Sequence, residues 1–292
     1  MRVSEGLKYG MVSRNLARLS AEHADASQKA LSGSRVARPS DDPVAAAELI
    51  RNRSAQARVE ARRGTVRNTL GDTELAENAL AEASDLFVRA KELAMQGANG
   101  SLSADERSSL AEGVRALREQ LVTLGNSQGA RGYLFAGSQT STQPFDAAGT
   151  FSGDDADLEV DLGAGGPTVI DLAGAEAFTV AGGRDVFADL TALETALASN
   201  NQTAVAATLD GLDAAHEQLV QARSKVGLLG DKLRTSDALL EQLNVGLAQQ
   251  DQRVSQADPF ESYSRMMTLG QTLEQAVTVS RQILDLSALN RF

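Results

Sequence analysis

The stretch that decides the fold covers residues 59–94 and reads VEARRGTVRNTLGDTELAENALAEASDLFVRAKELA. Apolar or small side chains recur in it every seven residues, at Val59, Val66, Thr73, Leu80, Phe87 and Ala94. Three alanines repeat the pattern three residues further on, at Ala76, Ala83 and Ala90. This spacing predicts a long helix whose seam packs closely against a partner helix.

A second stretch with the same spacing lies closer to the C-terminus. Its seven-residue series is Val205, Leu212, Leu219, Val226, Leu233, Leu240, Leu247 and Val254, with offset positions at Ala215, Ala222, Leu229 and Leu243. Such heptads fit either a coiled coil between two chains or a helix pair within one chain. We expect the pair within one chain, because the two stretches flank a single insertion.

Proline and acidic residues mark the helix ends. Asp42 precedes Pro43 and Asp258 precedes Pro259, which is the pattern of an N-cap followed by proline at the first helical position. Residues 103–106 and 191–194 each have the spacing of a capping box. A helix from Pro43 to Gly97 would be about 80 Å long. A compact domain of this chain length has a radius of gyration of only about 19 Å. We therefore predict an elongated rod of antiparallel helices.

The middle of the chain has a different composition. Residues 132–183 contain eight acidic residues and no Lys or Arg, and they are rich in glycine. Apolar residues at 158, 160 and 162 alternate with acids at 157, 159 and 161, which predicts short strands. We interpret the acids from Asp154 to Asp161 as a solvated strand face. The alternative is a calcium site, which would lack the spacing of known calcium loops.

Composition argues against several classes of protein. The 292 residues include 28 Lys and Arg, 39 Asp and Glu, two His and no Cys, which gives a net charge of −11. Thiolate catalysis, disulfides and Cys-based zinc sites are therefore excluded. We predict no enzyme, no catalytic residue, no metal and no cofactor. The acidic balance disfavours nucleic acid as a partner.

Targeting signals and one basic cluster add to these expectations. No stretch is long and apolar enough to predict membrane insertion. The first 20 residues have no apolar core, so we expect no cleaved signal peptide. Six arginines lie between Arg51 and Arg67. We expect a solvated helix face there, with contact to an acidic neighbour as the alternative.

The two ends of the chain have helical spacing but thin apolar content. We hypothesise that residues 1–38 and 260–292 become ordered by packing against copies of the same chain, because neither end buries enough area alone. The predicted assembly stripe consists of Val3, Leu7, Met11, Leu273, Val277, Leu284 and Leu286.

Four stretches together resemble the bacterial flagellin superfamily. They are SGSRVARPSDDPVAAA at residues 32–47, GYLFAGSQT at 132–140, FSGD at 151–154 and LSALNRF at 286–292. The resemblance runs over essentially the whole chain, and it is nearer to the proteins of the hook–filament junction than to flagellin itself. Two motifs carry most of it: the turn Pro39, Ser40, Asp41, Asp42 and Pro43, and the strand Tyr133, Leu134, Phe135, Ala136 and Gly137.

The resemblance implies a mainly α, flagellin-like fold: an elongated antiparallel long-helix rod with a small β insertion domain and terminal coiled-coil helices. We expect terminal helices in residues 1–38 and 260–292, a helical rod in 39–139 and 184–259, and the acidic insertion in 140–183. The turn is expected to cap the rod helix, or also to form a joint that touches a neighbour.

The implied function is that of a structural subunit, exported to the extracellular flagellum, which self-assembles at the hook–filament junction. The implied partners are copies of itself, the other hook-associated junction protein, flagellin, and an export chaperone or the flagellar type III export apparatus. The alternatives are a short flagellin that builds the filament, or a coiled-coil secretion-accessory or binding module.

Overall fold

The computed structural model describes residues 5–154, 156, 158–161, 167–170, 174–179 and 184–289. These residues are mainly helical, as predicted, and they form seven helices. The helices are α1 (Glu5–Ser32), α2 (Pro43–Gly97), α3 (Ala104–Gly125), α4 (Gly174–Phe178), α5 (Val186–Ala198), α6 (Gln202–Ser255) and α7 (Pro259–Leu289). The predicted helix from Pro43 to Gly97 is thus confirmed at both ends.

The strands in the described residues form two short antiparallel hairpins. The strands are β1 (Gln128–Gly129), β2 (Gly132–Tyr133), β3 (Leu158–Asp161) and β4 (Pro167–Ile170). In the second hairpin Leu158 lies opposite Ile170, and Asp161 lies opposite Pro167. The predicted alternating segment therefore contains a strand, while residues 155, 157 and 162 of that prediction lie outside the described residues.

The chain divides into two compact units. The terminal unit comprises Met1–Arg58 and Asn244–Phe292, and the central unit comprises Val59–Leu243. The long helices α2 and α6 contribute residues to both units. The three-part division expected from the sequence stays a prediction, since it rests on motifs and composition.

Ion pairs show that α2 and α6 run antiparallel in the central unit. Lys91 Nζ lies 2.5 Å from Asp213 Oδ1, and Arg63 Nε lies 3.1 Å from Asp237 Oδ1. A residue later on α6 therefore pairs with a residue earlier on α2, as it must when two helices are antiparallel. The predicted pairing of two helices within one chain is confirmed.

The heptad seam forms the core of this pair. All nine seam positions predicted on α2 are buried, and so are those of the seven-residue series on α6 from Val205 to Leu240. Leu229 is only partly buried, and Leu243 is half exposed, so the prediction for Leu243 was wrong. The contiguous apolar core ends at Val226 on α6. Beyond it, the buried apolar side chains described on α2 and α6 in the central unit are Val59, Val66, Leu233 and Leu240, which form a narrow seam.

Phenylalanines fill the core beside the hairpins. The Phe145 ring is fully buried and its centre lies 5.1–5.4 Å from the ring centres of Phe151, Phe178 and Phe187. Phe135 meets Phe178 edge to face at 5.2 Å. These are the separations at which aromatic pairs attract each other.

The predicted strand Tyr133–Gly137 needs correction. Only Tyr133 belongs to a strand, β2, whereas Leu134, Phe135 and Ala136 are buried in a turn that follows it. Gly137 has a φ of +66°, and an added Cβ there would lie 2.1 Å from the Asp154 carbonyl oxygen. The motif is therefore a core turn, because inserting Phe135 into the phenylalanine cluster requires the chain to leave the sheet.

Three of the four predicted helix caps are confirmed. Asp42 accepts hydrogen bonds from the amides of Val44 and Ala45, and Asp258 caps α7 in the same way. A reciprocal capping box joins Ser103 to Glu106. The box predicted at residues 191–194 was wrong, because that sequence lies inside α5. The cap of α5 is Asp185, whose Oδ1 accepts from the Phe187 and Ala188 amides.

Candidate assembly surface

The turn at residues 39–43 joins α1 to α2 in the terminal unit. Asp41 Oδ2 accepts hydrogen bonds from the amides of Ala37 at 3.1 Å and Arg38 at 2.9 Å. The bond from the Arg38 amide is the main cause that lowers the pKa of the Asp41 carboxyl, and Lys29 adds to it. Asp41 therefore fixes the turn by holding the backbone that leads into it.

Asp42 links the same turn to a third segment. Its Oδ2 accepts a hydrogen bond of 2.8 Å from the Arg35 guanidinium, which also donates to the Val254 carbonyl at the end of α6. The pKa of Asp42 is lowered mainly by the Ala45 amide and then by Arg35. One carboxylate thus caps α2 and ties its start to α6.

A short stretch of β pairing closes the joint. Ser34 and Gln256 form an antiparallel bridge, and the Arg35 amide donates to the Ser255 carbonyl at 2.7 Å. The Ala257 amide donates to the Gly33 carbonyl at 2.9 Å. Gly33 has a φ of +64°, a left-handed conformation that suits the end of α1. The ends of α1 and α6 are therefore fixed to each other through the backbone.

Lys29 lies at the centre of the charges around this joint. Its Nζ is 2.8 Å from Asp25 and 3.3 Å from Asp41, and the bond to Asp25 is the main cause that raises the pKa of Lys29. A cleft of about 330 Å³ opens beside it, lined by α1, the turn and the start of α7. No group of three or more acidic or histidine side chains in the described residues is placed to hold a metal ion.

Large apolar side chains around the joint are exposed. Phe260 is 88% exposed, Leu31 80% and Val44 76%, which are the highest values among the exposed large hydrophobic residues described. These residues begin α7, end α1 and begin α2, respectively. Twelve of the twenty residues in this exposed class lie in the terminal unit, although it is the smaller unit. Concentrated exposed apolar surface of this kind is typical of a protein–protein contact.

The described residues of the predicted assembly stripe differ in exposure between α1 and α7. Leu7 and Met11 are each 53% exposed, whereas Leu273 and Val277 are half-buried. Val3 lies outside the described residues. Leu284 and Leu286 belong to α7, and their side chains lie outside the described part of the chain. The role of the stripe in assembly stays a prediction.

Sequence reasoning did not single out Phe260, Leu31 or Val44 as contact residues. Each lies within two residues of a helix end. A cap followed by a large apolar residue does not identify them from sequence, because Phe187 also follows a cap, Asp185, and is buried.

The arginine cluster on α2 is largely paired within the chain. Arg63 is buried and contacts Asp237, Glu241 and Glu60, and Arg67 also reaches Asp237. Arg53 lies 3.4 Å from Asp251 within the terminal unit. The expected solvated face was therefore wrong for Arg63, whose acidic partners lie mostly on α6.

Two further polar residues, His216 and Asp154, have hydrogen-bonding neighbours within the chain. His216 Nδ1 lies 3.1 Å from Ser84 Oγ on α2. Asp154, part of the acidic segment, accepts bonds from the amide and hydroxyl of Ser138 at 2.6 Å each. Among the described residues, no helix is long and apolar enough to cross a membrane.

Comparison with known proteins agrees with this architecture. A family profile described as the bacterial flagellin N-terminal helical region matches residues 3–140. Flagellar hook-associated protein 3 of Escherichia coli is 30% identical over 276 residues, which covers 86% of this chain and 86% of that protein. Flagellar hook-associated protein 3 of Salmonella typhimurium is 31% identical over 180 residues, covering 61% of this chain and 57% of that protein.

A solved structure has the same fold. A flagellar hook-associated protein from Vibrio parahaemolyticus superposes with a TM-score of 0.66 at 21% identity, covering 73% of this chain and 99% of that one. The families and folds matched are those of structural flagellar proteins rather than enzymes. The chain belongs to the flagellar hook-associated protein 3 family, within the flagellin superfamily.

Proposed function

We propose that this chain is a structural subunit that self-assembles into a thin ring at the hook–filament junction and joins a hook-associated protein to the flagellin filament. The observation that carries the proposal is the concentration of exposed apolar side chains in the terminal unit. Family membership is the second support, since the homologues are the proteins of that junction.

The exposed surface suits assembly better than it suits an isolated monomer. Phe260 presents nearly its whole ring to solvent, and Leu31 and Val44 lie at the joint that fixes the neighbouring helix ends. Aromatic anchors held on rigid backbone are the residues that dominate binding energy at protein interfaces. The joint supplies that rigidity through Asp41, Asp42 and the pairing of Ser34 with Gln256.

The partners we propose are copies of this chain, the other hook-associated junction protein and flagellin. Copies would meet through the terminal unit, and the predicted stripe from Leu7 and Met11 to Leu273 and Val277 would be covered in the process. Before assembly the chain would leave the cell through the flagellar type III export apparatus, aided by an export chaperone and without cleavage of a signal peptide.

Immunogold electron microscopy of intact flagella tests the proposal. An antibody raised against residues 132–183 is expected to label one band where the hook meets the filament. Label along the whole filament would instead identify a short flagellin. No label on any external structure, with the epitope shown to be accessible in purified protein, would favour a secretion-accessory module.

A further inference from the structure

The buried seam between α2 and α6 is apolar over most of the central unit but contains polar side chains and a glycine at one level. Between Ala76 and Val66 the buried side chains on α2 are Thr69, Asp72 and Thr73, all of them polar. On α6, Gly230 is the buried residue between Val226 and Leu233. We call residues 69–73 of α2 and 227–230 of α6 the glycine–threonine level.

The two halves of this level face each other. A Cβ added to Gly230 would lie 3.7 Å from Thr73 Cγ2. Arg234, one turn later on α6, pairs with Glu74 at 3.0 Å. The interruption of apolar packing therefore occurs at the same height on both helices, where the contiguous core has already ended at Ala76 and Val226.

Packing does not require glycine at this level. A Cβ added to Gly71 or to Gly227 would meet nothing within 4 Å, and Gly230 has ordinary contact distances. Glycine inside a helix is nevertheless markedly less favourable than alanine, because it loses more backbone freedom on folding. Both long helices are thus locally weakened at positions where a side chain would fit.

Thr73 weakens α2 at the same height. Its Oγ1 donates a hydrogen bond of 2.8 Å to the Thr69 carbonyl, one turn earlier. Such back-bonding competes with the helical hydrogen bond and often bends helices. Asp72, the third buried polar side chain, bonds to the Ala130 amide at 2.7 Å and the Arg131 guanidinium at 2.8 Å instead of to α6.

We propose that the glycine–threonine level is a hinge at which α2 and α6 bend together without breaking the apolar packing on either side. The buried layers at Val66 and Leu233 on one side, and at Leu80 and Leu219 on the other, move as packed blocks. The hinge lies wholly within the central unit, so it holds whether or not the chain forms the junction ring.

Hydrogen exchange of the full-length monomer, followed by mass spectrometry, tests the hinge. Amides of residues 69–75 and 227–233 are expected to exchange at least about fivefold faster than those of residues 80–87 and 212–219. Equal protection in the four segments would overturn the proposal.

A cross-helix effect separates a hinge from a local effect of glycine. Gly71→Ala and Thr73→Val change only α2, and each is expected to slow exchange on α6 at residues 227–233 as well, by about fivefold. The matched control is Gly246→Ala, an equally open position on α6. It should slow exchange only around residue 246. Slowing confined to α2 in both α2 variants would refute a shared hinge.

Discussion

Replacing Phe260 separates folding of the chain from its assembly. The side chain is 88% exposed in the terminal unit, and its backbone is fixed by the cap from Asp258, whose Oδ1 accepts the Phe260 amide at 2.8 Å. Phe260→Ala keeps that amide and removes only the ring. We expect the variant to fold normally and to fail in assembly.

The exposed fraction of the Phe260 side chain sets the size of the effect on monomer stability and of the effect on assembly. A phenylalanine offers about 200 Å² of surface, so the buried 12% contributes at most about 0.6 kcal/mol to the monomer at about 25 cal/mol per Å². Covering the remaining surface in the ring would contribute up to about 4 kcal/mol per subunit on the same scale. Loss of that contribution of about 4 kcal/mol would lower the affinity of a subunit for the ring by up to about a thousandfold.

Two assays are needed, one for the folded monomer and one for the assembled flagellum. Thermal unfolding of the purified monomer should show nearly the same midpoint for Phe260→Ala and the natural chain. Incorporation is measured as the amount of the chain recovered in sheared flagella from cells that lack any other copy. We expect strong loss of the Phe260→Ala variant from this fraction.

Leu228→Ala is the matched control, because Leu228 is 69% exposed but lies in the central unit. It should fold and incorporate like the natural chain. Normal incorporation of Phe260→Ala, or equal loss of both variants, would refute the assignment of the contact to the terminal unit.

Three further predictions concern stability. Phe145→Ala removes the fully buried centre of the phenylalanine cluster and should lower the free energy of unfolding by about 3–5 kcal/mol, measured by denaturant titration. Asp72→Ala leaves the Ala130 amide and Arg131 without their buried acceptor. It should therefore lower the free energy of unfolding by about 2 kcal/mol and increase the exchange rate of the Ala130 amide. The pKa of Asp41 is lowered on folding, so the contribution of this carboxylate to the free energy of unfolding is complete above about pH 4. The contribution is lost as the pH falls through the lower pKa that Asp41 has in the folded chain. The protection factor of the Arg38 amide, which is corrected for the intrinsic pH dependence of exchange, should fall over that acid range.

Each of these has an outcome that contradicts it. Phe145→Leu should recover part of the stability that the alanine variant loses, and equal losses would argue against cavity formation. An unchanged Ala130 amide in Asp72→Ala would show that Asp72 does not hold the hairpin loop. Asp41→Asn should remove the acid transition at Arg38, so an unaltered transition would assign it to another group.

The helices were predictable because their signals are local. The cap Asp42–Pro43 and the seven-residue series fix where α2 begins and which face is buried, without reference to distant residues. The box predicted at residues 191–194 failed for the same reason. The pattern occurs inside helices too, and there Thr191 Oγ1 donates to the Phe187 carbonyl instead of capping a helix.

Whether a seam residue is buried depends on which other elements cover the helix at that point, so burial could not be predicted from spacing alone. Ala215 and Leu243 occupy equivalent offset positions, yet Ala215 lies within the contiguous core and Leu243 lies beyond it. The turn after Tyr133 was likewise hidden, because its conformation follows from Phe135 joining rings that are distant in sequence. Exposure of Phe260 required the positions of all neighbouring elements.

The small buried area of the terminal helices explains why assembly and order should be coupled. In α1 the only described side chains that are buried belong to Ala26 and Ala30, and the described side chains of α7 include no buried one. Helices of 28 and 31 residues depend mostly on packing for their stability. Two alanines supply little of it, whereas the central unit has its phenylalanine cluster and heptad seam. We therefore expect the terminal helices to gain stability from neighbouring copies, through the exposed apolar residues that are left uncovered within one chain.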